Sequence, residues 1–82
     1  MDHMDKPAPT ISIAAAKWIR SVMAEQGITM SDLAESTHIA RVTLIRRFES
    51  NPGKFTVGEL EAIAQALNIK VSDITGAAEA AA

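Results

Sequence analysis

The chain has 82 residues, and its eight Lys and Arg against ten Asp and Glu give a formal net charge of −2. Hydrophobic residues make up 48% of the sequence and charged residues 22%, which is typical of one small globular domain. Cys is absent, which excludes disulfides, thiolate metal sites and Cys nucleophiles. No apolar run approaches the roughly 20 residues that cross a bilayer. These features favour a cytoplasmic location and no membrane association.

The N-terminal part divides into a lead and a first helix. Residues 1–10 are predicted to be a flexible lead, because two prolines in that stretch oppose helix formation. From Ser12 to Gln26 apolar side chains recur at intervals of three and four, and Gly27 follows as a helix terminator. The spacing therefore predicts a helix over this range, with Thr10 or Ser12 as its cap.

Two short helices are predicted next, with a tight turn between them. Thr29 and Asp32 have the spacing of a capping box, and the helix that they open ends near His38. The following helix runs from about Ala40 to Ser50. A short helix, a turn of three to four residues and a second short helix form the helix-turn-helix pattern. His38 occupies the turn position that requires a positive φ, which His tolerates better than most residues.

A fourth helix is predicted from a second capping box, in which Thr56 pairs with Glu59, and it extends to Leu67. The apolar positions of all these helices converge on one small core. Its predicted members are Trp18, Ile19, Val22, Met23, Leu33, Ala34, Ile39, Leu44, Phe48, Leu60, Ile63, Ala64, Leu67 and Ile74.

The C-terminal part is predicted to contain one further helical turn and a tail. Ser72 is expected to cap the turn that holds Ile74. Residues 76–82 include five Ala in seven positions and no larger apolar residue, so we expect a linker or a frayed helix there. The predicted domain therefore spans residues 11–75.

Positive charge is concentrated on the second helix of the helix-turn-helix and the loop after it. From His38 to Lys54 four basic residues stand against one acidic residue, a local charge of +3, so the rest of the chain sums to −5. Arg is suited to base reading because its guanidinium can pair with guanine O6 and N7 together. This distribution indicates a surface for double-stranded DNA.

The first turns of that helix supply the expected base-reading residues, since a helix inserted in the major groove presents its N-terminal residues to base edges. They are Arg41, Val42, Thr43 and Arg46. Val42 and Thr43 offer methyl groups to the thymine methyl, and Arg46 shares a helix face with Val42.

Other residues are expected to contact phosphates, which position a protein without reading sequence. Arg47 and Lys54 follow the base-reading positions, and Thr29 opens a helix whose first amides favour an anion. Arg20 in the first helix is a further candidate, although exposed charges are commonly only solvated.

The segment Thr29–Ile74 resembles the phage-repressor family of helix-turn-helix proteins, also described as Cro/repressor-type, Xre or lambda-repressor-like. The second and third helices match in the run TMSDLAESTHIARVTLIRRF, the fourth in FTVGELEAIAQALNI and the fifth in VSDI. The resemblance implies an all-α, compact five-helix DNA-binding domain that acts in transcription, usually as a dimer on a two-fold operator. It also implies that Arg41, Val42 and Arg46 read bases.

The sequence departs from that family at several positions. His38 replaces the turn glycine, and Met30 stands where members often have a Gln that bonds a phosphate. Many members also pair an Arg of the first helix with a Glu that closes the third. The matching positions here are Met23 and Phe48, so we expect an apolar contact in place of the ion pair.

Two functions from different classes remain open on the sequence. The first is a sequence-specific transcriptional regulator, a phage or bacterial repressor that occludes its operator, working as a homodimer or with an additional C-terminal domain. The alternative is a protein-interaction module, such as an antitoxin or adaptor, built on the same helical bundle. An enzyme is not expected, and neither is a cofactor or a metal, because neither His3 nor His38 has a second ligand or a nucleophile spaced to join it.

Overall fold

A computed structural model describes residues 10–81, and within that range five α-helices follow one another without a strand. The helices are α1 (Thr10–Gln26), α2 (Met30–Thr37), α3 (Arg41–Glu49), α4 (Val57–Leu67) and α5 (Val71–Ala81). A 3₁₀ turn, Pro52–Lys54, lies between α3 and α4. The expected all-α, five-helix fold is confirmed. The predicted flexible lead lies outside the described residues except for Thr10, which opens α1.

Capping boxes open both α2 and α4, as their sequences predict. At α2 the Asp32 amide donates to Thr29 Oγ1 over 3.1 Å, and the Thr29 amide donates to Asp32 Oδ2 over 2.9 Å. At α4 the Glu59 amide donates to Thr56 Oγ1 and the Thr56 amide to Glu59 Oε1, both over 3.0 Å. Each box satisfies two amides that a helix start leaves without a partner, which fixes where the helix begins.

Left-handed residues end α1, α2 and α4. Gly27 has φ 70°, His38 has φ 62° and Asn68 has φ 59°. Glycine adopts this conformation without a steric penalty, and His and Asn are among the side chains that tolerate it best. These three residues turn the chain sharply, and α2 packs against α3 and α4 against α5 after two of these turns.

One core joins all five helices. Seven residues are fully buried: Ile19, Leu33, Leu44, Ile63, Leu67, Ile74 and Ala78. Five more are nearly so: Ala16, Val22, Met23, Phe48 and Ala64. Four predicted core residues are only partly buried against this cluster: Trp18, Ala34, Ile39 and Leu60. They cover the rim of the core. None of the described helices is long and apolar enough to span a membrane.

The structure differs from the sequence expectation at the C-terminus. Residues 76–81 continue α5, which packs along α1. Ala78 of α5 is fully buried, and α1 buries Ala16. Small side chains let two helices approach closely, so Ala acts as a core residue at this contact. Buried alanines give little signal in the sequence, because hydrophobic periodicity is carried mainly by large apolar residues.

The start of α5 also differs from the prediction. Ser72 lies inside the first turn of α5 rather than capping it, because the helix already begins at Val71. The Asp73 carboxylate accepts a hydrogen bond from the Lys70 amide over 2.9 Å. This bond satisfies the amide that precedes the helix. Asp73, and not Ser72, therefore supplies the side-chain hydrogen bond at the start of α5.

Candidate nucleic-acid interface

The turn between α2 and α3 is held by one hydroxyl. The Thr37 hydroxyl donates to the Leu33 carbonyl over 2.8 Å, and its oxygen accepts the Ile39 amide over 3.2 Å. The His38 amide closes the end of α2 on the Ala34 carbonyl at 2.9 Å. Thr37 was not singled out from the sequence, although Thr in such turns often bonds the backbone two residues on. This bonding fixes the angle at which α3 leaves the body of the domain.

The α3 helix has one buried face and one exposed face. Leu44 is fully buried and Phe48 is 6% exposed, so these two side chains attach the helix to the core. Arg41, Val42 and Arg46 lie on the exposed side, and Val42 is 59% exposed despite being apolar. Thus three of the four predicted base-reading residues are exposed on α3.

The N-terminus of α3 carries no side-chain cap. Ala40 precedes it with φ −56° and ψ 137°, and its carbonyl accepts the Leu44 amide over 3.0 Å, but it offers no oxygen to the first amides. Thr43, the fourth predicted base reader, is half-buried in this first turn. The first amides of α3 therefore have no side-chain acceptor, and they add the positive end of the helix dipole to the charge of Arg41.

The C-terminal turn of α3 is attached on several sides. The Phe48 ring meets the Phe55 ring edge to face, with 5.1 Å between centroids and 70° between planes. The Arg20 guanidinium of α1 lies 5.8 Å from the centre of the Phe48 ring. These aromatic and cation–π contacts connect α3 to α1 and to the segment after the 3₁₀ turn.

An ion pair also joins α1 to the end of α3. Arg20 lies 3.9 Å from Glu49, and both side chains are about half exposed. Met23 and Phe48, the positions expected to replace the family's ion pair by an apolar contact, are both buried in the core cluster. The expectation that an apolar contact stands in place of the ion pair is therefore wrong, because an Arg of α1 does pair with the Glu that ends α3. Arg20, a predicted phosphate contact, is engaged within the protein.

Arg47 is likewise engaged within the protein. Its Nε donates to Glu59 Oε1 and its second nitrogen to Glu59 Oε2, both over 3.3 Å. The two side chains are 24% and 20% exposed. The sequence prediction that Arg47 contacts a phosphate treated its guanidinium as unpaired, whereas the structure pairs it with Glu59. The 12-residue separation from Glu59 gave no local signal of this pairing.

At the start of α2, the predicted anion position holds a carboxylate of the chain itself. The pKa of Asp32 lies below its ordinary value of 3.8 because Thr29 hydrogen-bonds to its carboxylate. The backbone amide of Thr29 makes the larger contribution and its hydroxyl the smaller one. The Thr29 hydroxyl is engaged in the same box, because its oxygen accepts the Asp32 amide and its hydrogen bonding to the carboxylate helps to lower that pKa. Any anion that approaches this helix end therefore meets Asp32.

Two ion pairs are present among residues 10–81, Arg20 with Glu49 and Arg47 with Glu59. Neither involves Arg41, Arg46 or Lys54, and all three of these side chains are exposed. Within the same range no three His, Asp or Glu come together in a way that could hold a metal ion. The exposed positive charge of this region thus comes from two arginines of α3 and the lysine of the 3₁₀ turn.

Comparison with known proteins gives one match. A family model described as a Cro/C1-type HTH DNA-binding domain matches residues 18–78, a span from the middle of α1 into α5. No curated protein and no solved structure matched the chain. The matched span includes the capped helices, the left-handed turn and the exposed face of α3. The chain therefore belongs to the Cro/C1-type helix-turn-helix DNA-binding domain family.

Proposed function

We propose that the protein is a sequence-specific regulator of transcription that inserts α3 in the major groove of double-stranded DNA. The observation that carries this proposal is that α3 buries Leu44 and Phe48 in the core while Arg41, Val42 and Arg46 are exposed. A helix anchored through one face and exposed through the other can enter a groove without losing its core contacts.

The side chains of this face have distinct roles in the proposal. Arg41, at the helix tip, donates to guanine O6 and N7, since the first residues of a groove-inserted helix reach base edges. The methyl groups of Val42 and of the half-buried Thr43 pack on a thymine methyl. Arg46 lies one turn farther along and reads a neighbouring base pair.

Phosphate contacts fix the register of α3. Lys54 is the first candidate because it is exposed in the turn after α3 and belongs to neither ion pair of the described residues. Thr29 is a weaker candidate, because its amide and its hydroxyl both bond to Asp32 in the capping box. Arg20 and Arg47 reach a phosphate only by giving up Glu49 and Glu59, which makes them weaker candidates. With so few free cations, the salt slope should be shallower than that of a strongly basic repressor.

The proposed regulatory outcome is repression by occlusion in a bacterial cell, on a phage or host operator. One α3 reads only a few base pairs, which is too little for selective recognition in a genome. We therefore propose that two copies bind half-sites about 34–36 Å apart, or that a further domain supplies the second contact. Polymerase is then excluded by the bound protein itself.

The experiment that tests this function is a selection from random-sequence duplexes near physiological salt. An enriched inverted repeat supports specific dimeric recognition, and its spacing gives the half-site geometry. A single enriched half-site supports recognition by a monomer. If no sequence is enriched, the regulator proposal is wrong, and a protein partner of the helical bundle becomes the function to examine.

Two double variants sharpen the selection. Arg41→Ala with Arg46→Ala removes both guanidinium groups and their charges, so specific binding should disappear. Arg41→Lys with Arg46→Lys keeps the charges but loses the bidentate geometry, so binding to arbitrary DNA should persist while selectivity falls. A protein-interaction module would keep its partner in both variants.

A further inference from the structure

Arg47 and Glu59 form a bidentate contact that spans two helices. The guanidinium of α3 presents two nitrogens to the two carboxylate oxygens of α4, each over 3.3 Å. This fork-to-fork arrangement fixes orientation as well as distance, because the two bonds are parallel and both groups are planar. Its partial burial, with 24% and 20% of the side chains exposed, limits screening by solvent and salt.

The same carboxylate has a second task. Glu59 Oε1, which accepts from Arg47, also accepts the Thr56 amide over 3.0 Å and so completes the capping box of α4. Arg47 is therefore connected through one carboxylate to the residue that ends the loop. The loop between α3 and α4 is fastened at both ends by this arrangement.

The fastened segment carries a residue of the proposed interface. Lys54 lies within it, and its amide donates to the Asn51 carbonyl over 2.9 Å. At the other side of the same loop, Phe55 packs against Phe48 of α3. Movement of Glu59 relative to α3 would thus displace the lysine relative to Arg46, which precedes Arg47 in the helix.

We propose that Arg47 is a positioning residue for DNA recognition, acting through Glu59 on the loop that carries Lys54, and not a phosphate ligand. This inference rests on the proposed function. If Arg47 bound a phosphate instead, Glu59 would compete with the DNA for it. The two roles therefore predict opposite consequences of removing the carboxylate.

Two single variants and their combination test the proposal on the selected operator. Arg47→Met keeps an unbranched apolar stem and removes the fork, whereas Glu59→Gln keeps an amide oxygen for the capping box and removes the charge. Each should lower specific affinity about 2- to 5-fold, as expected for a partly exposed pair, and the double variant should lose no more than either single variant. Any change in the slope of affinity against salt should be the same in both single variants and in the double variant, because all of them act through the one Lys54 contact.

A phosphate ligand would behave otherwise. Arg47→Met would then flatten the salt slope by about one while Glu59→Gln left it unflattened, and Glu59→Gln would raise affinity by releasing the guanidinium. Either result overturns the proposal. The ratio of specific to non-specific affinity must also fall in both single variants, since a residue needed only for stability would leave that ratio unchanged well below the melting temperature.

A second measurement separates this inference from the proposed function. Hydrogen exchange at the Lys54 amide in the free protein should accelerate in Arg47→Met and in Glu59→Gln, because both loosen the loop. Glu49→Gln is the matched control, since it removes an exposed pair at the same end of α3, and it should leave that amide unchanged. Unaltered exchange in both test variants overturns the positioning role whether or not an operator is found.

Discussion

The two ends of α3 differ sharply, although only nine residues make up the helix. Its C-terminal turn buries Phe48 against Phe55 and is held by ion pairs to both α1 and α4. Its N-terminal turn has no side-chain cap and exposes Arg41 and Val42. Stabilising contacts are thus concentrated at one end, and groups available to a ligand at the other.

The flanking helices show what the free end lacks. Both α2 and α4 begin with a Thr that bonds the amide three residues on, and both boxes are complete. At the corresponding position α3 has Ala40. A helix that inserts its tip in a groove needs amides and side chains that are not already bonded to its own chain. The unfavourable local sequence at this end is consistent with its proposed role.

The largest expected effect lies at the anchored end. Phe48→Ala should lower the free energy of unfolding by about 3–5 kcal/mol, because it removes a buried ring and leaves a cavity between α1, α3 and the loop. That is a large part of the roughly 4–12 kcal/mol expected for a domain of this size. Chemical denaturation measures it, with Phe48→Leu as the milder control. A loss below about 1 kcal/mol would show that the anchor lies elsewhere.

The next effect lies at the exposed end. Arg41→Ala should weaken binding to the selected operator by about 1–3 kcal/mol and relax preference at one base pair. The unfolding free energy should change by no more than about 0.5 kcal/mol, since the side chain is exposed. Lys70→Ala removes the same charge away from α3 and serves as the control in both assays. A stability loss as large as that of Phe48→Ala would erase the distinction between the two ends.

A smaller change would make the free end resemble the capped helices. Ala40→Ser supplies the oxygen that α3 lacks, so it should raise the free energy of unfolding by about 0.5–1 kcal/mol. Operator affinity should fall slightly, because the serine occupies an amide that faces the DNA. Ala40→Val offers no cap and controls for side-chain size. If Ala40→Ser is no more stable than the parent, the missing cap is not a weakness of α3.

The smallest effect concerns pH and the capped start of α2. The pKa of Asp32 is lowered by its bonds to Thr29, so folding favours the ionised carboxylate. Its stabilising contribution is fully present above the ordinary pKa of 3.8 and is lost as the pH falls through the lower folded value. The stability difference between the parent and Asp32→Asn should therefore shrink on acidification below about pH 4. A difference that grows there would contradict the direction of the shift.

Local signals in the sequence predicted much of this structure. The boxes of Thr29 and Thr56 and the left-handed turn at His38 depend on residues three or four apart, and all are present. Such features are readable because a helix start or a turn is decided within a few residues. The base-reading roles expected for α3 from spacing and charge stay a prediction.

The contacts that were missed join residues distant in the sequence. Nothing near Arg47 indicates Glu59, because their meeting depends on how α4 returns against α3. Ala78 gave no hydrophobic signal, yet it is fully buried in the helix that packs along α1. Partner choice and close helix contacts are properties of the assembled bundle, which explains why pattern and composition did not reveal them.

The separation of faces on α3 also bears on how such a protein can diverge. The core depends on Leu44 and Phe48, whereas Arg41, Val42 and Arg46 contribute nothing to it. Under the proposed base-reading role, mutations at the three exposed positions would alter operator preference without passing through unfolded intermediates. A duplicated copy of the gene would be able to acquire a different operator by changing very few codons, while its fold stayed under unchanged selection.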